Sequence, residues 1–306
     1  MMIRALNLQS TIIPNSLAGK FFQFPLVRMI MAILLLSAFL FAVDSLVNYL
    51  ISGVEGPAAT IFKYGKSILI IITCYYAYRL YVFHFEKRPV YELSFSASLT
   101  ETVAGIVVGA SMIALVVVIL IVPGYYKIIE FNSINLLAKG FFIFSEGAFF
   151  EEVLFRLIIF KLVEEFLGSW LSIIVSAFLF GLAHIFNINA TLWSAIAISV
   201  EAGVLLAVAF MLTRRIWLVL GIHFGWNFAQ ASVFGIPTSG IDFNGLISPE
   251  ITGPTWLTGG SFGVEASVIT LILGILTAMI LLRMTVRDGQ IVNPAWKRGR
   301  KAEIIY

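Results

Sequence analysis

The chain has 306 residues, of which 60% are hydrophobic and only 12% charged, and its formal charge is +3. Soluble domains run near ~45–50% apolar and ~25% charged, so this sequence has too little polar surface to cover a water-soluble globule. The excess must face lipid, and so small a net charge argues for no nucleic-acid partner. Cys74 is the single cysteine and lies in an apolar run, which leaves no disulfide framework or thiolate cluster and suggests a small buried hydrophobe.

A bilayer core of ~30 Å takes about 20 mostly apolar residues as helix, because unpaired backbone groups cannot be left in hydrocarbon. The first candidate span covers 25–50. The stretch through Gln23 has no apolar segment close behind the start, so this span is expected to act as an uncleaved anchor. The second covers 65–85 and ends among His84, Glu86, Lys87 and Arg88, where His84 reads as an interfacial residue. A third, 102–123, carries little polarity. The fourth to seventh, 137–163, 169–187, 191–212 and 216–234, hold most interior polar residues. Next comes 235–264, rich in Gly, Pro, Ser and Thr and broken by Pro237, Pro249 and Pro254, which is expected to be a structured surface loop. The eighth candidate is 265–284, and the chain ends Glu303-Ile304-Ile305-Tyr306 with no lipidation box. The fold class expected is all-α: a polytopic membrane bundle of about eight transmembrane helices, forming a single membrane domain over 1–306. No internal repeat is evident.

Basic residues set the expected orientation. Arg4, Lys20 and Arg28 precede the first span; Arg79, Lys87 and Arg88 follow the second, Lys161 the fourth, and Arg214 and Arg215 the sixth. After the eighth come Arg283, Arg287, Lys297, Arg298, Arg300 and Lys301, while the alternate loops hold only Lys63, Lys66, Lys127 and Lys139. The positive-inside rule then puts both termini in the cytoplasm of a multi-pass cell-membrane protein, with the 235–264 loop outside. An even number of spans is needed for that, and eight supplies it.

Ionisable side chains at membrane depth are costly, so each marks a candidate site. Glu146, Glu151, Glu152, Arg156, His184 and His223 cluster in the fourth, fifth and seventh spans. At 100° per residue Glu152 and Arg156 share a helix face and can pair. Glu151 falls about 140° from Arg156 and has no local cation, as suits a general base. The geometry therefore suggests Glu152–Arg156 as a structural clamp and Glu151 as the base; a single buried ionic network is the rival reading. His223 and Asn227 are four apart and point together, and Gly181, Gly221 and Gly225 permit close helix approach beside the polar groups. A Glu and a His can hold and deprotonate a water, while a second His and an Asn amide can donate to an oxyanion.

Glu151-Glu152-x-x-x-Arg156, Phe180-x-x-x-His184 and His223-x-x-x-Asn227, with Thr213-Arg214-Arg215-Ile216-Trp217 before the last, resemble the CAAX prenyl endopeptidase and bacteriocin-processing family of intramembrane proteases. The resemblance covers roughly 140–235, the expected protease core. It implies that Glu151 and His184 activate a water, that His223 and Asn227 stabilise the tetrahedral oxyanion, and that Arg156 orients the carboxylates through Glu152. The partners implied are the lipid bilayer and a peptide or protein substrate in it.

Two mechanisms follow. The favoured one has no metal and no other cofactor; the alternative is a zinc ion held by Glu151, His184 and His223, as in soluble metalloproteases. The absence of a His-Glu-x-x-His helix and the presence of Asn227 favour the first. Non-catalytic rivals are a membrane scaffold or immunity-type protein binding a peptide in the same cavity, and a proton-coupled transporter using Glu146, Glu151, Glu152 and Glu201. Glu201 has no evident partner in the sequence. Helix arithmetic adds a tension: Gly168 to His184 is about 24 Å of helix, which sets His184 nearer the outer side than Glu151.

Overall fold

The computed structural model describes residues 5–9 and 16–298. Arg4, Arg300, Lys301 and the terminal Glu303–Tyr306 stretch lie outside the described residues. A short helix α1 (Leu17–Gln23) leads into α2 (Pro25–Ile51), with Pro25 at the first helical position, where a missing N–H costs no bond. Helix α3 (Gly56–Tyr81) returns beside it, and α4 (Ser98–Ile121) follows. A strand β1 (Tyr126–Phe131) precedes a long rod made of α5 (Asn135–Glu152), a π-helical stretch Val153–Phe160 and α6 (Lys161–Leu167). Helix α7 (Ser169–His184) turns back at Gly168, whose φ of 77° suits glycine. The next rod is α8 (Leu192–Ile198), a π turn Ser199–Gly203 and α9 (Val204–Thr213). Helix α10 (Ile216–Asn227) runs into a π stretch Phe228–Val233, and after β2 (Ile247–Ile251) and a short α11 (Thr255–Thr258) the last helix is α12 (Val268–Arg287).

The chain is thus an all-α polytopic membrane bundle. All eight expected segments are helical, and five helical stretches among the described residues are long and apolar enough to cross a membrane. These are Pro25–Ile51, Gly56–Glu86, Tyr91–Ile121, Leu192–Thr213 and Val268–Arg287; Ser169–His184 is apolar but shorter. Burial separates the periphery from the centre. Of the most apolar window, 17% is buried in α2 and 67% in Leu192–Thr213, so the first lies against lipid and the second inside protein.

The third expected span is less bland than its composition suggests. Gly105 and Gly109 on α4 face Gly221 and Gly225 on α10 so closely that added side chains would strike backbone. A Cβ on Gly109 would lie 2.8 Å from the Trp226 amide nitrogen, and one on Gly225 2.6 Å from the Ile106 carbonyl oxygen. Small residues four apart on both helices let the backbones touch, and α4 thereby becomes the backing of the helix that carries His223.

The 235–264 stretch is structured, and strand β2 within it pairs antiparallel with β1, from Tyr126 opposite Ile251 to Phe131 opposite Ile247. This small sheet is an addition to the all-α expectation. The Tyr126 hydroxyl donates to the Phe234 carbonyl at 2.8 Å, and the Asn132 amide donates to the Gly245 carbonyl at 2.9 Å, tying the loop to the ends of α4 and α10.

At the opposite, arginine-rich end many of the basic residues are buried rather than free in loops. Lys161 Nζ lies 2.6 Å from both Glu86 carboxylate oxygens, Arg88 lies 2.7 Å from Glu86 and also bonds Glu92, and Arg28 pairs with Glu165. Arg214 binds Glu164 at 2.5 Å, beside a bond from the Ser169 hydroxyl to the same carboxylate. The Lys20, Arg79, Lys87, Arg283, Arg287 and Lys297 side chains remain exposed at this end.

Candidate active site

Two of the predicted site residues, His184 and His223, converge on one carboxylate oxygen of a third, Glu151. Oε2 of Glu151 lies 3.9 Å from His184 Nε2 and 3.8 Å from His223 Nε2. These separations are too long for direct hydrogen bonds and short enough for one water to touch all three. The depth tension from the sequence dissolves because the α5–α6 rod continues to Leu167. Glu151 precedes the Gly168 turn by 17 residues and His184 follows it by 16, so the two sit at matching depths on adjacent antiparallel helices.

Each imidazole is oriented from behind. His184 Nδ1 lies 2.7 Å from the Phe180 carbonyl, one turn back on its own helix. A carbonyl can only accept, so Nδ1 carries a hydrogen, and in the neutral imidazole Nε2 is then the acceptor that faces Glu151. His223 Nδ1 lies 2.7 Å from Oε1 of Glu152, so this imidazole is held by a carboxylate rather than by a neutral group. The other Glu152 oxygen lies 3.1 Å from Arg156 Nε, as the four-residue spacing predicts. That contact is an ion pair without hydrogen-bond alignment: all three guanidinium nitrogens lack a bonded partner among the described residues. The guanidinium instead stacks 4.6 Å from the Phe180 ring centre. Glu152 and Arg156 are fully buried, while the Glu151 side chain keeps 27% exposure.

Asn227 joins His184 and His223 in lining a small cavity, together with Glu201, Ser239 and Glu265. Its volume is about 30 Å³, room for about two waters. Of the other sequence candidates, Glu146 turns away from the centre and accepts from the Ser67 hydroxyl on α3 at 2.6 Å.

Sequence reasoning missed the Glu152–His223 bond, which gives Glu152 a second task besides Arg156. It also missed Gln230 and Glu265. Gln230 was within reach: it follows His223 by seven residues, two turns along the same face. Its amide donates at 2.6 Å to both the Pro237 carbonyl and Glu265. Glu265 also accepts from the Ser239 backbone N–H at 2.9 Å. Burial pushes the Glu265 carboxyl up to about 7, against the opposing effect of these hydrogen bonds. Nothing local in the sequence marks Glu265, which reaches the site only through the fold of the loop.

The polar positions share a backbone feature. Glu151 and Glu152 end at the π stretch Val153–Phe160, Glu201 lies inside the π turn Ser199–Gly203, and Asn227 abuts the π stretch Phe228–Val233. Such wide turns are frequent at functional sites, where they re-aim side chains that a regular helix would direct elsewhere.

As ligands for zinc the three donors are loosely spaced. Bonds of ~2.0–2.1 Å at tetrahedral angles would bring donors to about 3.3 Å from one another, and no three His, Cys, Asp or Glu side chains among the described residues are grouped closely enough to hold a metal ion.

No curated protein matches this chain, and no solved structure does. A family model does: the one described as type II CAAX prenyl endopeptidase Rce1-like matches residues 133–229, the stretch that carries Glu151, Glu152, Arg156, His184, His223 and Asn227. That segment of this multi-pass membrane protein is thus similar to the Rce1-like type II CAAX prenyl endopeptidases.

Proposed function

We propose that the protein is an intramembrane endopeptidase that hydrolyses a peptide bond of a membrane-associated substrate through a water activated by Glu151 and His184. The observation that carries this reading is the convergence of two oriented imidazoles on a single Glu151 oxygen. Glu151 takes a proton from the water as its oxygen adds to the carbonyl carbon. The carbonyl electron pair moves onto oxygen, and the tetrahedral intermediate collapses by breaking the C–N bond while the leaving nitrogen takes the proton back from Glu151.

The different partners of the two histidines support a division of roles. His184 is backed by a neutral carbonyl and suits the task of accepting a hydrogen bond from the water. His223 already gives its Nδ1–H to Glu152, so it can donate from Nε2 only as an imidazolium, whose charge Glu152 balances. Such an imidazolium, with the Asn227 amide, would stabilise the oxyanion. Arg156 meets the other oxygen of Glu152 at 3.1 Å and so steadies the carboxylate that orients His223. The donor spacing and the amide of Asn227 support a mechanism without metal, in which activity survives exhaustive chelation. Stoichiometric zinc, lost and restored together with activity, would overturn that part.

The family name suggests the first probe, a prenylated peptide ending in a CAAX box with a quenched fluorophore across it. Wild-type protein in detergent or vesicles should cleave it, and Glu151→Gln should not. In cells, membrane proteomics of the same pair should show a precursor that accumulates in the variant; no difference in either assay would sink the protease reading. For orientation, the exposed basic residues at one end support cytoplasmic termini with the 235–264 loop outside. Ser261 is exposed on that loop, so Ser261→Cys should react with a membrane-impermeant thiol reagent in intact cells, and labelling only after lysis would reverse the topology.

A further inference from the structure

Glu201 is a buried acid that the mechanism above does not use. It is 0% exposed, and neither of its carboxyl oxygens is hydrogen-bonded to any described residue. A carboxyl group withdrawn from water without a partner is costly in either protonation state, so its partner is to be sought in the space it faces. That space is the small cavity lined by His184, His223 and Asn227, the histidines that converge on Glu151.

The backbone holds Glu201 in this position from two sides. Gly203, in the same π turn, packs so tightly on α7 that an added Cβ would lie 2.8 Å from the Ala177 Cα. From the other side, a Cβ on Gly274 of α12 would lie 2.9 Å from the Glu201 Cα, Cβ and carbonyl oxygen. The turn is thus clamped between two helices, and the wide π geometry points one acid into the cavity. The other acid of the lining, Glu265, is bonded to Gln230 and Ser239 and closes the loop side.

We propose that Glu201 is a positioning residue for the hydrolytic water: its carboxyl group and the histidines hold ordered water in this cavity, which supplies the Glu151 centre within the bilayer. The inference rests on the hydrolase reading. The cavity suits the task in volume, since its volume of about 30 Å³ is enough for about two waters but not for a peptide side chain. It suits it also in chemistry, with hydrogen-bonding groups from Glu201, His184, His223, Asn227 and Ser239 around an otherwise apolar wall of Phe180, Leu205 and Trp226.

Two arms test it. The first needs no activity: a structure of the purified protein at a resolution that shows ordered water should place a water within hydrogen-bond distance of the Glu201 carboxyl group and of His184 or His223. A dry cavity, or Glu201 bonded to a protein group instead, would overturn the proposal. The second arm uses the fluorogenic CAAX peptide with wild type, Glu201→Gln and Glu201→Leu. Leucine matches the size but holds no water, so kcat should fall about a hundredfold at unchanged KM. Glutamine can still bind water and should recover kcat to within about tenfold of wild type. Wild-type kcat in folded Glu201→Leu, a change confined to KM, or a glutamine variant as inactive as the leucine one would each overturn it. If wild type cleaves nothing, the protease reading fails in the second arm, while the first still decides whether Glu201 holds water.

Discussion

Buried charges gather at the arginine-rich end and at the centre of the described residues, and the way they are satisfied differs. At the arginine-rich end Glu86 meets Lys161 at 2.6 Å and Arg88 at 2.7 Å, Glu164 meets Arg214 at 2.5 Å, and Glu101 meets Arg215 at 2.9 Å. Every one of these carboxylates has a cation at hydrogen-bond distance. At the centre Glu151 has only imidazoles, at 3.8 and 3.9 Å, Arg156 has no aligned hydrogen bond, and both Glu201 oxygens are unbonded. Closed pairs lock helices together; open groups are held in place by other contacts and keep capacity for something that enters. Unsatisfied polarity that the scaffold could have closed and did not is therefore the physical mark expected of the proposed catalytic centre.

That contrast can be broken most directly at Glu151. Glu151→Gln should lower turnover by about three orders of magnitude, as loss of a general base does, with Tm in detergent unchanged because no direct partner is stranded. A fall in Tm comparable to that of a broken ion pair would make Glu151 structural. Next in size is Glu152→Gln, which strands Arg156 and releases His223. It should cost about 3–5 kcal/mol of stability as well as activity, and adding Arg156→Leu should restore much of the stability but not the turnover. Should Glu151→Gln prove the unstable variant and Glu152→Gln a stable dead one, the two roles would be exchanged.

Glu86→Gln probes the closed cluster. It should lower stability by about 3 kcal/mol, while kcat per folded molecule stays at the wild-type level; a selective loss of kcat would mean that the arginine-rich end takes part in the reaction. The smallest effect is expected at Glu265, whose carboxyl is raised to about 7 by burial. A raised acid binds its proton more tightly when folded, so its contribution is complete below the ordinary carboxylate range and is lost as pH climbs through 7. The loss is at most about 3 kcal/mol. Tm should fall between pH 5 and 8 in the wild type and be flatter in Glu265→Gln, with Glu201, His184 and His223, which face the same cavity, unchanged in both. Equal slopes would assign the pH dependence to those neighbours.

Much of the centre was legible in the chain because it is local. The Glu152–Arg156 pair follows from a four-residue spacing on one helix, and the isolation of Glu151 from the same arithmetic. Gly105-x-x-x-Gly109 is equally local, but its helix carries no chemistry, and the partner glycines only gain meaning when the two helices are set side by side. The buried state of Arg28, Arg88 and Lys161 was hidden for a related reason: as isolated letters they read as loop charges, and only the meeting of α2, α3 and α6 supplies the carboxylates that remove them from water.

What the sequence determined by itself is the solvent and the elements: 60% apolar residues with 12% charged ones must face lipid, and unbroken apolar runs of about 20 residues span lipid as helices, not as alternating barrel strands. It also determined which side chains share a helical turn. The tertiary structure alone decided which turns face one another. The Glu152 bond to His223 joins residues 71 apart, and the Gln230 bond to Glu265 joins residues 35 apart. No periodicity encodes such pairings, because they depend on where Gly168 reverses the chain, where four glycines let two backbones touch, and where π turns re-aim a carboxylate.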